Sequence, residues 1–227
     1  MKKTGLLVAL VIMIISSAFK IKNTDGNSLK TAKHSNSGSL NDENTALIII
    51  DLQNDYFKSG AMELNGAEEA AEKTKAILNH FRDKKMLVVH VKHIALQKGA
   101  TFFLPGTKGA DIYKTVLPVG SEKVITKNYP NSFRDTDLLA FLKKNKVKNL
   151  VFCGMMTDVC VDATVRAAMD YGYKNTVISD AVATRDRELN GGLVKSTEIN
   201  RGYLAGLNAL GGLYATVLPA NDFLMKK

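Results

Sequence analysis

The chain has 227 residues, a formal net charge of +9 and two cysteines. Its lysines are scattered, with no basic stripe interleaved with aromatics, so the charge reads as solvated surface and argues against a nucleic-acid partner. Two cysteines are too few for a disulfide framework, and the length suits one α/β domain behind a targeting segment.

Met1 to Ala18 has the pattern of a signal peptide: basic Lys2 and Lys3, apolar Gly5 to Ile15, then small Ser16, Ser17 and Ala18. The apolar run is shorter than the roughly 20 residues of a membrane span, so an uncleaved anchor is the lesser alternative. The expected location is periplasmic or secreted, with no stable membrane association once the segment is cleaved. Residues 19–44 are rich in Ser, Asn, Thr and Lys and read as a disordered linker. The expected domain is 45–227.

Strand one, Ala46 to Ile50, is continuously apolar, as in a strand covered on both faces. A helix from Ala67 to Lys84 carries Ala70, Ala71, Thr74, Ile77, Leu78 and Phe81 on one stripe. Strand two is Met86 to Val91. A long connection, His93 to Val119, follows; connections of this length are commonly functional. Strand three is Lys123 to Thr126, and Thr136 is placed to cap a short helix. Strand four, Lys148 to Cys153, is expected to end at Gly154. From Val159 the period becomes helical, with Val161, Val165, Ala168, Met169 and Gly172 on one stripe. Strand five is Asn175 to Ser179. A helix from about Leu193 to Ala209 precedes strand six, Leu213 to Leu218. Strands alternating with helices imply a parallel sheet.

Three residues fall just past strand ends: Asp51, Lys127 and Cys160. Sites collect at that edge of parallel sheets. Cys160 falls on a strand-to-helix turn, where free amides and the helix dipole lower a thiol pKa and can hold an oxyanion. Position alone leaves catalysis and plain packing equally open for Cys160. Cys153 lies inside its strand and reads as packing.

The motifs IIIDLQNDYF, FLPGTKG, ITKNYPNSF and GMMTDVCVDATVRAAMDYGY followed by ISDAVATRD, spread over residues 45–218, resemble the isochorismatase-like cysteine hydrolases. Nicotinamidases and N-carbamoylsarcosine amidohydrolase belong to that superfamily. The resemblance implies a three-layer α/β/α Rossmann-like fold, a six-stranded parallel sheet in the order 3-2-1-4-5-6, and a homo-oligomer. It also implies a cis peptide at Met156–Thr157.

In this reading Asp51 takes the proton of Cys160, Lys127 stabilises carboxylate and thiolate, and the sulfur attacks a carbonyl carbon. Main-chain N–H groups at Thr157 and Cys160 form the oxyanion hole. Phe57, His93, Phe103, Tyr129, Phe133 and Met156 are the candidate pocket residues around a small-molecule substrate. No cofactor is expected. A metal is not expected either: His90 and His93 are three apart on a strand and so face opposite ways. The stretch HVKHIALQKG also lacks the acidic residue that nicotinamidases of the resembled family carry. The leading function is a metal-independent cysteine hydrolase that cleaves an amide-type C–N bond through a covalent thioester-type intermediate. The alternatives are vinyl-ether hydrolysis of the isochorismatase type, with Asp51 as general acid, and an exported non-catalytic binding protein on the same fold.

Overall fold

The computed structural model describes residues 44–225. The expected signal peptide and all but the last residue of the expected linker lie outside the described residues. In chain order the elements are β1 (Thr45–Ile50), α1 (Ala67–Asp83), β2 (Leu87–His93), β3 (Lys123–Lys127), α2 (Leu138–Lys144), β4 (Asn149–Met155), α3 (Asp162–Asp170), β5 (Lys174–Ala183), β6 (Arg187–Leu189), β7 (Gly192–Val194), α4 (Ser196–Leu207), α5 (Ala209–Gly212), β8 (Thr216–Leu218) and α6 (Ala220–Leu224).

Six strands form one parallel sheet in the order β3-β2-β1-β4-β5-β8. This is the expected order, with β8 as the sixth strand. The apolar run of β1 takes the centre because both its faces need cover, and all six of its residues are buried. Leu47 and Ile49 face a core closed by α1 and α6, through Ile77, Leu78, Phe81 and Phe223. Ala46, Ile48 and Ile50 face the opposite core, closed by α2, α3 and α4 through Leu138, Leu142, Val165 and Leu207. Period-2 alternation thus divides one strand between two helix layers. Each large side chain fully buried there contributes about 1.5–3 kcal/mol of transfer free energy.

Three local readings need correction. Gly154 does not end the fourth strand, because β4 continues to Met155 and pairs with Ala183 of β5. Its backbone has φ +134°, and a Cβ there would run into the Ile50 carbonyl. Glycine lets β4 press against the end of β1, immediately before Asp51. The cis peptide is Met155–Met156, not Met156–Thr157. It falls at the junction of strand and turn, since Met156 is the extended residue that opens the turn. The helix expected from Leu193 starts only at Ser196. Residues 187–194 form an antiparallel hairpin instead, turned at Asn190 and Gly191, both with positive φ.

Candidate active site

Four strands deliver one group each to the C-terminal edge of the sheet. Asp51 follows β1 directly and takes a left-handed backbone, φ +50°, with its N–H donating to Val91 O. Aspartate tolerates that region better than most residues. His93 and Lys127 are the last residues of β2 and β3 and stand opposite each other in register. Cys160 sits in a single π-helical turn, Thr157–Val161, between β4 and α3.

The Lys127 ammonium joins them. Nζ lies 2.7 Å from Oδ2 of Asp51, in an ion pair with both side chains fully buried. It donates to Sγ of Cys160 at 3.2 Å and lies 3.1 Å from Nδ1 of His93. Lys127 therefore crosses the end of β2 to reach the two central strands. An ammonium only donates, so Nδ1 of His93 accepts and the ring proton is on Nε2. Burial, then the Lys127 charge, pulls the His93 pKa down and keeps the ring neutral. Gln53 holds the His93 backbone from both sides. Its Oε1 accepts the His93 N–H at 2.7 Å and its Nε2 donates to the His93 carbonyl at 2.8 Å.

Burial, then the Asp51 charge, pushes the Cys160 thiol well above its ordinary value, against the opposing pull of Lys127. This corrects the expectation of a lowered thiol pKa. A fully buried sulfur beside a carboxylate loses more from desolvation than it gains from the turn. For Lys127, burial lowers the pKa, but the Asp51 charge and the hydrogen bonds to Asp51 and Cys160 outweigh it and the net direction is up. The resting trio is carboxylate, ammonium and thiol.

A cavity of about 360 Å³ opens onto Cys160, lined also by Tyr56, His93, Gln97, Phe102, Phe103, Asn128, Tyr129, Pro130, Met156 and Val159. Four of the six expected pocket residues line it: His93, Phe103, Tyr129 and Met156. Phe57 does not. It stacks on Tyr113 with ring centroids 3.4 Å apart, because alternation along the turn sends Tyr56 to the cavity in its place. Phe133 does not either, since it packs with Tyr171 and Tyr173 in the core under α3. The aromatic wall is tied to the β1 end by Asp55, whose carboxylate accepts the Phe103 N–H at 2.6 Å.

Thr157 is fully buried, and its hydroxyl has no hydrogen-bond partner among the described residues. The amides of Val159 and Val161 both donate to the Met156 carbonyl at 3.1 Å. Asp158 anchors the turn from outside. It accepts from Thr184 and from Arg187, whose Nε and Nη2 lie 3.0 and 2.8 Å from Oδ2. Arg187 comes from the hairpin that the sequence reading missed.

His90 and His93 do not converge. Nε2 of His90 lies 2.9 Å from Glu122, which is paired with Arg82 away from the cavity. A metal site built on the two histidines does not fit these residues. Among the described residues, ligand-type atoms of Asp51, His93 and Cys160 lie within 4.8 Å of one another. Cys153 is unpaired and packs on the opposite face of the sheet from Cys160.

A model of the isochorismatase domain matches residues 45–198. The chain belongs to the isochorismatase family. Within this family it is 44% identical over 180 residues to the uncharacterized protein YddQ of Bacillus subtilis, covering 79% of this chain and 98% of YddQ. A crystal structure from Oleispira antarctica, carrying the name isochorismatase hydrolase, superposes with a TM-score of 0.77 at 40% identity, over 82% of this chain and 99% of that one. The streptothricin hydrolase of Streptomyces noursei is 33% identical over 141 residues, which is 62% of this chain and half of that protein. The isochorismatase-family assignment makes this chain a hydrolase, and its relatives include the maleamate amidohydrolase of Pseudomonas putida, 29% identical over 154 residues, 62% of this chain and 72% of that protein.

Proposed function

We propose that this chain is a metal-independent cysteine amidohydrolase whose substrate is a small amide with an uncharged acyl group. The observation that carries the reading is the Lys127 ammonium, in contact with Asp51 at 2.7 Å and with Cys160 at 3.2 Å. Moving the thiol proton to Asp51 leaves the net charge of the buried trio at zero. Losing it to solvent leaves the trio at −1, which burial disfavours. The thiolate therefore forms as the sulfur attacks, with Asp51 taking the proton.

The steps balance. Cys160 Sγ bonds to the carbonyl carbon while its proton goes to Asp51. The oxyanion is held by main-chain N–H groups at Thr157 and Cys160, and the neutral His93 N–H offers a further donor from the cavity side. Asp51 returns the proton to the leaving nitrogen, the C–N bond breaks and an amine departs. Asp51 then takes a proton from water as the hydroxyl attacks the thioester. The C–S bond breaks, the carboxylic acid leaves, and the proton returns to sulfur.

Among the described residues the cavity lining contains four Phe or Tyr rings beside His93, and neither Lys, Arg, Asp nor Glu. Arg187 is engaged by Asp158, and Arg134 lies on the Tyr129 ring. That supports an uncharged acyl group and speaks against the vinyl-ether alternative, whose substrate carries carboxylates. A non-catalytic binding role has no use for a desolvated Asp51–Lys127 pair against a cysteine. The test is a panel of uncharged amides, ureas and isochorismate, with intact-mass detection of an acyl adduct. Turnover of uncharged amides with an adduct on Cys160 and none on Cys153 is expected. Full activity in Cys160→Ala would overturn covalent catalysis.

A further inference from the structure

Lys127 brings its ammonium to a point surrounded by three different ligand-type atoms. Nζ lies 2.7 Å from Oδ2 of Asp51, 3.1 Å from Nδ1 of His93 and 3.2 Å from Sγ of Cys160. Those ligand-type atoms lie within 4.8 Å of one another, and all four side chains are buried. Carboxylate oxygen, imidazole nitrogen and sulfur around one point make the donor set of a zinc site with three protein ligands and one open position. The ammonium stands where a metal ion would stand.

Charge makes the two occupants equivalent. Lys127 ammonium, Asp51 carboxylate, neutral His93 and Cys160 thiol sum to zero. A divalent cation with the carboxylate, the neutral imidazole and the Cys160 thiolate also sums to zero. One M²⁺ replaces the ammonium and the thiol proton together. A buried site accepts an exchange of occupants most readily when its net charge is unchanged. Zinc bonds of about 2.0–2.3 Å require each ligand to close in by no more than about 1 Å. Gln53 already fixes the backbone that carries the imidazole. Cys160 and His93 both line the cavity, which provides an entry path.

We infer that Asp51, His93 and Cys160 form a three-ligand site for a borderline-soft divalent cation, Zn²⁺ or Co²⁺, which the Lys127 side chain fills and closes. This site takes His93 and not His90. It does not depend on which substrate the enzyme takes. The wild-type chain resists such metals because the ammonium must leave first. Removing the ammonium opens the site, and metal entry then releases the Cys160 proton, so uptake strengthens as pH rises.

The experiment uses the chain without a histidine tag, with Lys127→Ala and Lys127→Gln as variants. The glutamine is neutral, keeps part of the stem and can add an oxygen ligand. Each is titrated with Co²⁺ and followed by the near-ultraviolet thiolate-to-cobalt absorption, with circular dichroism as a check on folding. Both variants should take up one equivalent and show the band, which Zn²⁺ then bleaches. Wild type should show none under the same conditions. Adding Cys160→Ala should abolish the band. Adding His93→Ala should weaken uptake by at least about 100-fold, since losing even an outer partner of a ligand costs 10–100-fold. A folded variant without the band, a wild-type chain that binds as tightly as the variants, or a band that survives Cys160→Ala would each overturn the inference. If both variants are unfolded without metal, melting curves with Zn²⁺ decide. Recovery of a cooperative transition supports the site. Failure to recover overturns it, because the metal then cannot replace the ammonium.

Discussion

His93 stands opposite Lys127 in the parallel register of β2 and β3, and its Nδ1 accepts from the Lys127 ammonium at 3.1 Å. This contact determines what the ring offers the substrate. With Nδ1 occupied and the ring neutral, His93 presents a single N–H, at Nε2, on the wall of the cavity. His93→Phe keeps an aromatic ring but removes that donor. It should lower kcat/KM about 10–100-fold, the equivalent of a lost hydrogen bond of about 1.5–3 kcal/mol. Nitrogen-15 correlation spectra should show the Nε2–H tautomer of His93 persisting at pH 6, where an ordinary histidine is largely protonated. A fully protonated ring at that pH would exclude this role.

Glu122 supports the sheet away from the cavity. It accepts from Arg82 at 2.8 and 2.9 Å, from the Val119 N–H at 3.0 Å, and pairs with His90 at 2.9 Å. Burial opposes its ionisation, but the Arg82 hydrogen bonds and the other donors outweigh burial and bring its pKa down to about 2, from an ordinary 4.5. A folded-state pKa below the unfolded value adds stability that is present above about 4.5 and is lost as pH falls toward 2. Glu122→Gln should therefore cost about 1–3 kcal/mol at pH 7. Melting temperatures of wild type and variant should converge in acid. A constant difference between pH 7 and pH 3 would show that charge is not the cause.

The apolar runs of β1 and β4 made central strands of a parallel sheet legible, and the family resemblance supplied the strand order. Asp51 and Cys160 were legible because each follows such a run by one step or a single turn, and Lys127 because it ends a short strand, β3. Their mutual distances were not, since Lys127 must cross the end of β2 to reach Asp51. Tyr56 and Phe57 are adjacent in sequence, and only the turn decides which of them faces the cavity. The hairpin could have been read: Asn190-Gly191 is the dipeptide of a tight β-turn. Leu193 drew the reading toward a helix, although it is 56% exposed. The role of Gln53 left no trace in periodicity, because its side-chain bonds go to the backbone of His93 and Ala110, 40 and 57 positions away.

Gly154 gives a test of how the sheet positions the site. Its φ of +134° lies outside the range of L-residues, and a Cβ would meet the Ile50 carbonyl directly before Asp51. Gly154→Ala should cost about 2–4 kcal/mol, from overpacking together with backbone strain. The folded fraction should also lose turnover, because relief of the clash moves Asp51. An alanine variant with wild-type melting temperature and activity would show that the two strands separate at no cost.

Asp51→Asn separates thiol ionisation from catalysis. The Asp51 carboxylate, after burial, is the largest influence holding the Cys160 thiol high. Asparagine removes that charge and leaves Lys127 facing the sulfur alone. The thiol pKa should fall, so alkylation of Cys160 by iodoacetamide at pH 8 should run faster in the variant than in wild type. Hydrolysis should move the other way. Asparagine cannot take the thiol proton, return it to the leaving nitrogen or activate water, so turnover should fall by at least the 10²–10⁴-fold of a lost general acid–base. The two rates are measured on the same preparation, with alkylation assigned to Cys160 rather than Cys153 by peptide mass. Faster alkylation with lost turnover fits a carboxylate that carries the proton at the moment of attack. Slower alkylation would mean that Asp51 acts as a standing base and that the thiolate exists before substrate arrives. Retained turnover would remove Asp51 from the chemistry altogether.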